Sequence, residues 1–297
     1  MRVSIFCRKT VFILVLMIPF LSFTFSQEPT QIKKINSLFD SLKTFENDTL
    51  RLLFHKQIST QIKDLLFPAA SFNIPLDSLR IAGKVKSPDE KFRILTWNVS
   101  MNDGTSSYFG IIQMNPDKEQ ECKLFLLNDI SHSVQINANS FSYKVPDWFG
   151  ALYYNVLKVK VGNTVVYTLL AARFKDLFSN QKVLESLYFD DDSTPIFGFP
   201  VFEYGLKLEK RVVFEYSINA VMSLKYLDDI QMIVFDHLSP SSPIYTNNFK
   251  FYGPDFSYDG YKFEKGKWNY MPNISMKNEK NTKRIIPKKR INSAPKR

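Results

Sequence analysis

The spacing of apolar residues changes character once along this chain, and that change constrains the fold more than any other feature. From Thr30 to Phe67 the apolar side chains recur at intervals of three and four: Ile32, Ile35, Leu38, Phe39 and Leu42, then Leu50, Leu53, Phe54, Ile58, Ile62, Leu65 and Leu66. That is the spacing of an amphipathic helix. Asn47 and Asp48 fall between the two runs and suit the start of a second helix, and Pro68 ends it. The segment 27–67 is therefore predicted to be a helix pair whose apolar stripe covers a sheet of its own domain.

Beyond Ile81 the pattern becomes short β-branched and aromatic runs separated by turn formers. Phe92 to Val99, Ser107 to Met114 and Lys123 to Leu127 read as strands. Leu152 to Val161 and Thr164 to Ala172 flank Gly162-Asn163, a two-residue hairpin signal. Arg211 to Ile218, Ala220 to Tyr226 and Gln231 to Asp236 are strand-like. A further hairpin, Tyr261 to Phe263 with Trp268 to Tyr270, turns through Lys265-Gly266. One inserted helix is expected at Lys175 to Leu187, with Leu177, Phe178, Val183, Leu184 and Leu187 on one face. Strands joined by short turns pair antiparallel. The expected class is α+β: an N-terminal helix pair, then a mostly antiparallel body over 68–276 that forms a single domain with the helices.

Two terminal segments stand apart from this body. Arg2, Arg8 and Lys9 precede an uncharged run from Thr10 to Phe23, followed by Thr24-Phe25-Ser26. This is the order of a secretory signal peptide over 1–26, cleaved before Gln27. The apolar run is short and broken by Pro19, whereas a membrane-spanning helix needs roughly 20 apolar residues. No transmembrane span is expected after cleavage. Cys7 precedes the run and so cannot be a lipid-bearing cysteine. Its removal leaves Cys122 alone, which excludes an internal disulfide even in an oxidising compartment.

The formal charge of +10 is unevenly distributed. Residues 27–276 are close to neutral, and the excess lies in 277–297, a stretch with no aromatic residue that contains Lys288, Lys289 and Arg290. This tail is expected to be disordered and to bind a polyanion of the cell envelope. It lacks the interleaved aromatics that would stack on bases, and the body carries no basic excess, so no specific nucleic acid is expected as partner.

Chemistry is sparsely signposted. The histidines His55, His132 and His237 have no ligand spacing, and Cys122 has no CxxC companion, so no metal is expected. There is no GxSxG elbow, P-loop or GxGxxG fingerprint, which leaves neither nucleotide nor cofactor. Asp190-Asp191-Asp192 reads as a solvated turn. The richer constellation is Asp236-His237, followed by Asp255 and Asp259 within Tyr252-Gly253-Pro254-Asp255-Phe256-Ser257-Tyr258-Asp259-Gly260-Tyr261. Carboxylates among aromatic rings are the materials of a sugar-binding cleft or a glycosidase. They are also ordinary turn formers within a small β core.

The segments Phe92 to Gln113, Asp147 to Leu170, Arg211 to Tyr226, Ile233 to Pro240 and Tyr252 to Tyr270 resemble a group of exported proteins of the Bacteroidetes for which no activity is known. The resemblance implies a Gram-negative envelope or secreted setting and transfers no catalytic residue. Such proteins exported by the type IX route usually carry a C-terminal β-sandwich sorting domain. A basic tail in that place favours the periplasm. The expected function is a non-enzymatic binding or structural protein of the periplasm or envelope. The alternatives are a secreted glycan hydrolase using Asp236, His237, Asp255 or Asp259, and a subunit of an envelope complex docked through the helix pair.

Overall fold

The computed structural model describes residues 28–116, 122–132 and 138–275. The expected signal peptide, the tail and its residues Lys288, Lys289 and Arg290 lie outside the described residues.

Helical spacing yields α1 (Glu28–Leu42) and α2 (Asp48–Leu66). Asn47 holds extended backbone, and its Oδ1 accepts the N–H groups of Thr49 at 2.8 Å and Leu50 at 3.2 Å. Two of the donors left open at a helix start are thus satisfied. Replacing Asn47 by Ala should lower the unfolding free energy by about 1 kcal/mol, read as a reduced urea midpoint at unchanged m-value. A midpoint equal to wild type would show that the cap contributes nothing. The apolar stripe of the pair, including Ile35, Ile58, Ile62 and Leu66, is buried against Leu95, Trp97, Val99 and Ile111. The helices cover their own sheet with this face, while Leu50 and Leu53 in the first turns of α2 are exposed. Among the described residues no helix is long and apolar enough to cross a membrane.

That first sheet consists of β1 (Gly83–Lys86), β2 (Phe92–Ser100), β3 (Ser106–Met114) and β4 (Leu124–Asp129) in sequential antiparallel order. The chain next makes β5 (Tyr143–Lys144), which belongs to the second sheet, and returns as β6 (Asp147–Trp148), parallel to β4. The second sheet has the order β5, β10 (Pro195–Phe197), β9 (Ser179–Phe189), β8 (Thr164–Phe174), β7 (Leu152–Val161). The β7–β8 hairpin turns at Gly162, whose φ of +58° needs no Cβ there. Strands β11 (Phe202–Tyr204) and β12 (Lys207–Glu209) open the third sheet. Strand β13 (Arg211–Ser217) then pairs with β9, and β14 (Leu224–Leu227), β15 (Met232–Pro240), β16 (Tyr252–Glu264) and β17 (Lys267–Met271) complete the third sheet.

The α+β expectation holds, and the body is a stack of layers: helix pair, first sheet, second sheet, third sheet. Separate apolar cores fill the spaces between them. The first two sheets meet closely where β1 passes β7. A Cβ on Gly83 would lie 2.0 Å from Thr96 Oγ1 and 2.8 Å from the Tyr153 carbonyl, so only glycine fits.

Two expectations fail. The helix placed at Lys175 to Leu187 is a turn followed by strand β9, paired with β8 on one side and β10 and β13 on the other. The second sheet is covered on both faces, so β9 buries consecutive residues, Val183 to Leu187, and loses the alternation by which a strand is recognised. The stretch Tyr252 to Tyr261, read as a loop from its glycines and aspartates, is most of strand β16. Backbone pairing with β15 overrides those local preferences.

Candidate functional site

A cavity of about 410 Å³ opens where β13 of the second sheet faces the third. Its aromatic lining comes from five strands: Phe214, Phe235, Tyr261 and Tyr270, with Tyr204 at the end of β11. The rings form a continuous wall. Phe214 and Phe235 have centroids 4.5 Å apart, Phe235 and Tyr261 5.8 Å, Tyr261 and Tyr270 5.7 Å in an edge-on arrangement.

The polar side of the cavity is produced by an irregularity in the β15–β16 ladder. Asp236 pairs with Tyr258 and Leu238 with Pro254, so His237 alone faces Asp255, Phe256 and Ser257. A bulge of this kind bends the strand and re-aims side chains. Asp255 Oδ1 holds the bulge by accepting the Ser257 N–H at 3.1 Å and its hydroxyl at 2.7 Å. Phe256 takes φ +67° and is 96% exposed, a strained backbone and an unburied ring at one residue.

His237 Nδ1 lies 2.8 Å from Asp259 Oδ2. The same oxygen accepts the Tyr270 hydroxyl at 2.6 Å, and Oδ1 accepts the Asn273 N–H at 3.0 Å. Burial pushes the Asp259 carboxyl up, but these three donors outweigh it and hold its pKa below the ordinary value. Asp259 is therefore an ionised acceptor, and His237 Nδ1 carries the donating hydrogen. Burial, with the hydrogen bond to Asp259 next, pushes the Tyr270 phenol up, so it remains a donor. His237 Nε2 is left facing outward, 3.8 Å from Asp255 Oδ2. The hydroxyl of Ser257 leads the effects that lower the Asp255 pKa.

The structure thus brings Asp236, His237 and Asp259 to one cavity, with Asp255 beside the imidazole. Each carboxylate already has a structural bond: Asp236 Oδ2 accepts the Ser223 N–H at 2.7 Å, Asp255 caps its bulge, and Asp259 is held on both oxygens. What faces a ligand is a row of rings and one oriented imidazole. Sequence reasoning identified the polar residues and missed Tyr204, Phe214, Phe235 and Tyr270. These converge only because β11, β13 and β17 meet β15 and β16 in space, and no local pattern encodes that.

The remaining candidates lie elsewhere. Asp190 closes the turn after β9, its Oδ1 accepting the N–H groups of Asp192 and Thr194 and its Oδ2 pairing with Lys144. Cys122 is buried, 3.0 Å from Gln113 Nε2. Among the described residues there is no group of three or more His, Cys, Asp or Glu placed to hold a metal ion. Compared with protein-family models, curated proteins and solved structures, the chain matches none.

Proposed function

We propose that this chain is an exported, non-enzymatic binding protein of the bacterial envelope whose ligand site is the aromatic cavity between β13 and the third sheet. The observation that carries this reading is the convergence of five rings with one imidazole locked by Asp259. Aromatic faces stack on the apolar face of a ring-shaped ligand, and a fixed imidazole supplies one directional hydrogen bond. A saccharide ring offers both complements. Glycan hydrolysis would need paired carboxyl groups free to act on either side of a bond, and the bonds already made by Asp236, Asp255 and Asp259 favour binding. The export reading rests on the order of charge and apolarity in residues 1–26, and the tether reading on the basic tail around Lys288, Lys289 and Arg290.

Calorimetric titration with a panel of neutral oligosaccharides tests the site. Phe214→Ala and His237→Gln should each weaken the wild-type affinity by about tenfold or more. Equal affinity in both variants rejects the cavity, and release of reducing ends by the wild type replaces binding with hydrolysis. Deleting 277–297 should abolish salt-sensitive retention on envelope fractions, since exposed charge is screened by salt. Unchanged retention removes the tether.

A further inference from the structure

The polar edge of the aromatic cavity is made of acceptors. His237 gives its Nδ1 hydrogen to Asp259 Oδ2 at 2.8 Å, so in the neutral ring Nε2 presents a lone pair. Asp255 uses Oδ1 for Ser257 and leaves Oδ2 without a hydrogen-bond partner among the described residues, 3.8 Å from that Nε2. The donors on this side are already spent. The Tyr270 hydroxyl and the Asn273 N–H go to Asp259, and the Ser257 N–H and hydroxyl go to Asp255. Both open atoms belong to accessible side chains, 44% exposed for His237 and 35% for Asp255, so a ligand at the cavity mouth reaches them.

The charge on this edge has one sign. Asp255 and Asp259 both lie below the ordinary carboxylate pKa and are ionised. Asp236 and Asp259 line the cavity, and no Lys or Arg does. Among the described residues His237 alone is placed as an ion-pair partner for Asp255 and Asp259. Acids elsewhere in the second and third sheets are answered by a full cation: Glu185 by Arg211, Glu203 by Lys267 and Glu215 by Lys175. The aromatic wall favours the same sign of ligand. A ring face carries negative charge and attracts a cation placed over it, and two of the rings, Tyr204 at 71% and Tyr270 at 40%, are open to the cavity.

We propose that the ligand of this cavity is a saccharide bearing a free, protonated amine, which donates to His237 Nε2 and Asp255 Oδ2 while the sugar ring lies against the aromatic wall. This rests on the saccharide reading above and names the substituent that the site selects. An ammonium group brings three donors and no acceptor, the complement of an edge that holds acceptors alone. The 3.8 Å between the two acceptors lets one nitrogen donate to both. A neutral hydroxyl leaves the Asp255 charge unanswered. An N-acetyl group removes the ligand's charge and leaves one N–H, and an acidic sugar sets a like charge against Asp255.

Calorimetric titration of the full chain with equal-length oligomers of glucose, N-acetylglucosamine and glucosamine tests the assignment. At low salt the glucosamine oligomer should bind about tenfold or more tighter than the glucose oligomer. Added salt should shrink that ratio, because Asp255 is open to solvent ions. Asp255→Asn keeps an oxygen for Ser257 and should erase the preference for glucosamine over glucose. If Asp255→Asn does not fold, the wild-type salt series decides, and a ratio that salt leaves unchanged overturns the proposal. Equal wild-type affinity for the glucosamine and glucose oligomers, a preference for the N-acetylated oligomer, or a glucosamine preference that survives Asp255→Asn overturns it as well and leaves the saccharide site standing. Absence of binding by all three oligomers removes the saccharide site together with the amine.

Discussion

Replacing Glu185 by Ala should destabilise the protein by about 3–5 kcal/mol, the cost of leaving a buried cation without its partner. Glu185 and Arg211 are both fully buried, on adjacent strands β9 and β13. Arg211 Nε donates to Glu185 Oε1 at 2.6 Å, and Nη2 donates to the same oxygen. The other oxygen accepts the Tyr153 hydroxyl, which in turn accepts the Trp148 indole N–H at 2.7 Å. Burial first, and then the Glu185 charge, keeps the Tyr153 phenol protonated and donating. This chain of bonds links β6, β7, β9 and β13. Removing the carboxylate strands both the guanidinium and the phenol. The double substitution Glu185→Leu with Arg211→Met should recover most of the loss, because paired removal takes away the desolvated charges together. Urea unfolding of the three variants decides it. A single-variant loss under about 1 kcal/mol would mean that water reaches Arg211 and the pair is not sealed.

That network also shows where sequence reasoning stops. The helix pair is legible because one face of each helix is buried and the other wet, which imprints a period on the sequence. The β7–β8 hairpin is legible because its turn needs a left-handed glycine at Gly162. Strand β9 is not, since both of its faces are covered and Glu185 lies within an unbroken buried run. A charged residue inside an apolar stretch such as VLESLY is a signal for a buried ion pair, but its partner lies 26 positions away and is found only through sheet pairing. The candidate site follows the same rule. Asp236, His237, Asp255 and Asp259 stand out locally, whereas the bonds that commit the carboxylates to structure come from Ser223 just before β14, from the bulge in β16 and from β17. Residue identity is a local property, and availability for chemistry is not.

His55 provides the second large effect, and it is one of pH. The Trp97 indole N–H, which can only donate, points at His55 Nε2 from 2.8 Å, so that nitrogen must carry a lone pair. The ring lies on the buried face of α2 and stacks on Phe109 with centroids 3.5 Å apart. Burial lowers its pKa from 6.5 to about 4. Above pH 6.5 the imidazole is neutral in both folded and unfolded chains, and the folded state has its full stability. As pH falls from 6.5 towards 4, the unfolded chain takes up a proton that the folded chain refuses, so stability declines with each step. Below about pH 4 both states are protonated and the loss levels off, at about 3 kcal/mol in total. Carboxylates held below their ordinary 3.8, Asp89 and Asp259 among them, add losses only at lower pH, so the two limbs separate. His55→Gln keeps an acceptor for Trp97 without titrating. Its unfolding free energy should be flat between pH 6.5 and 4, where the wild type slopes. Parallel slopes in the two proteins would assign the acid sensitivity to another group and leave His55 as packing alone.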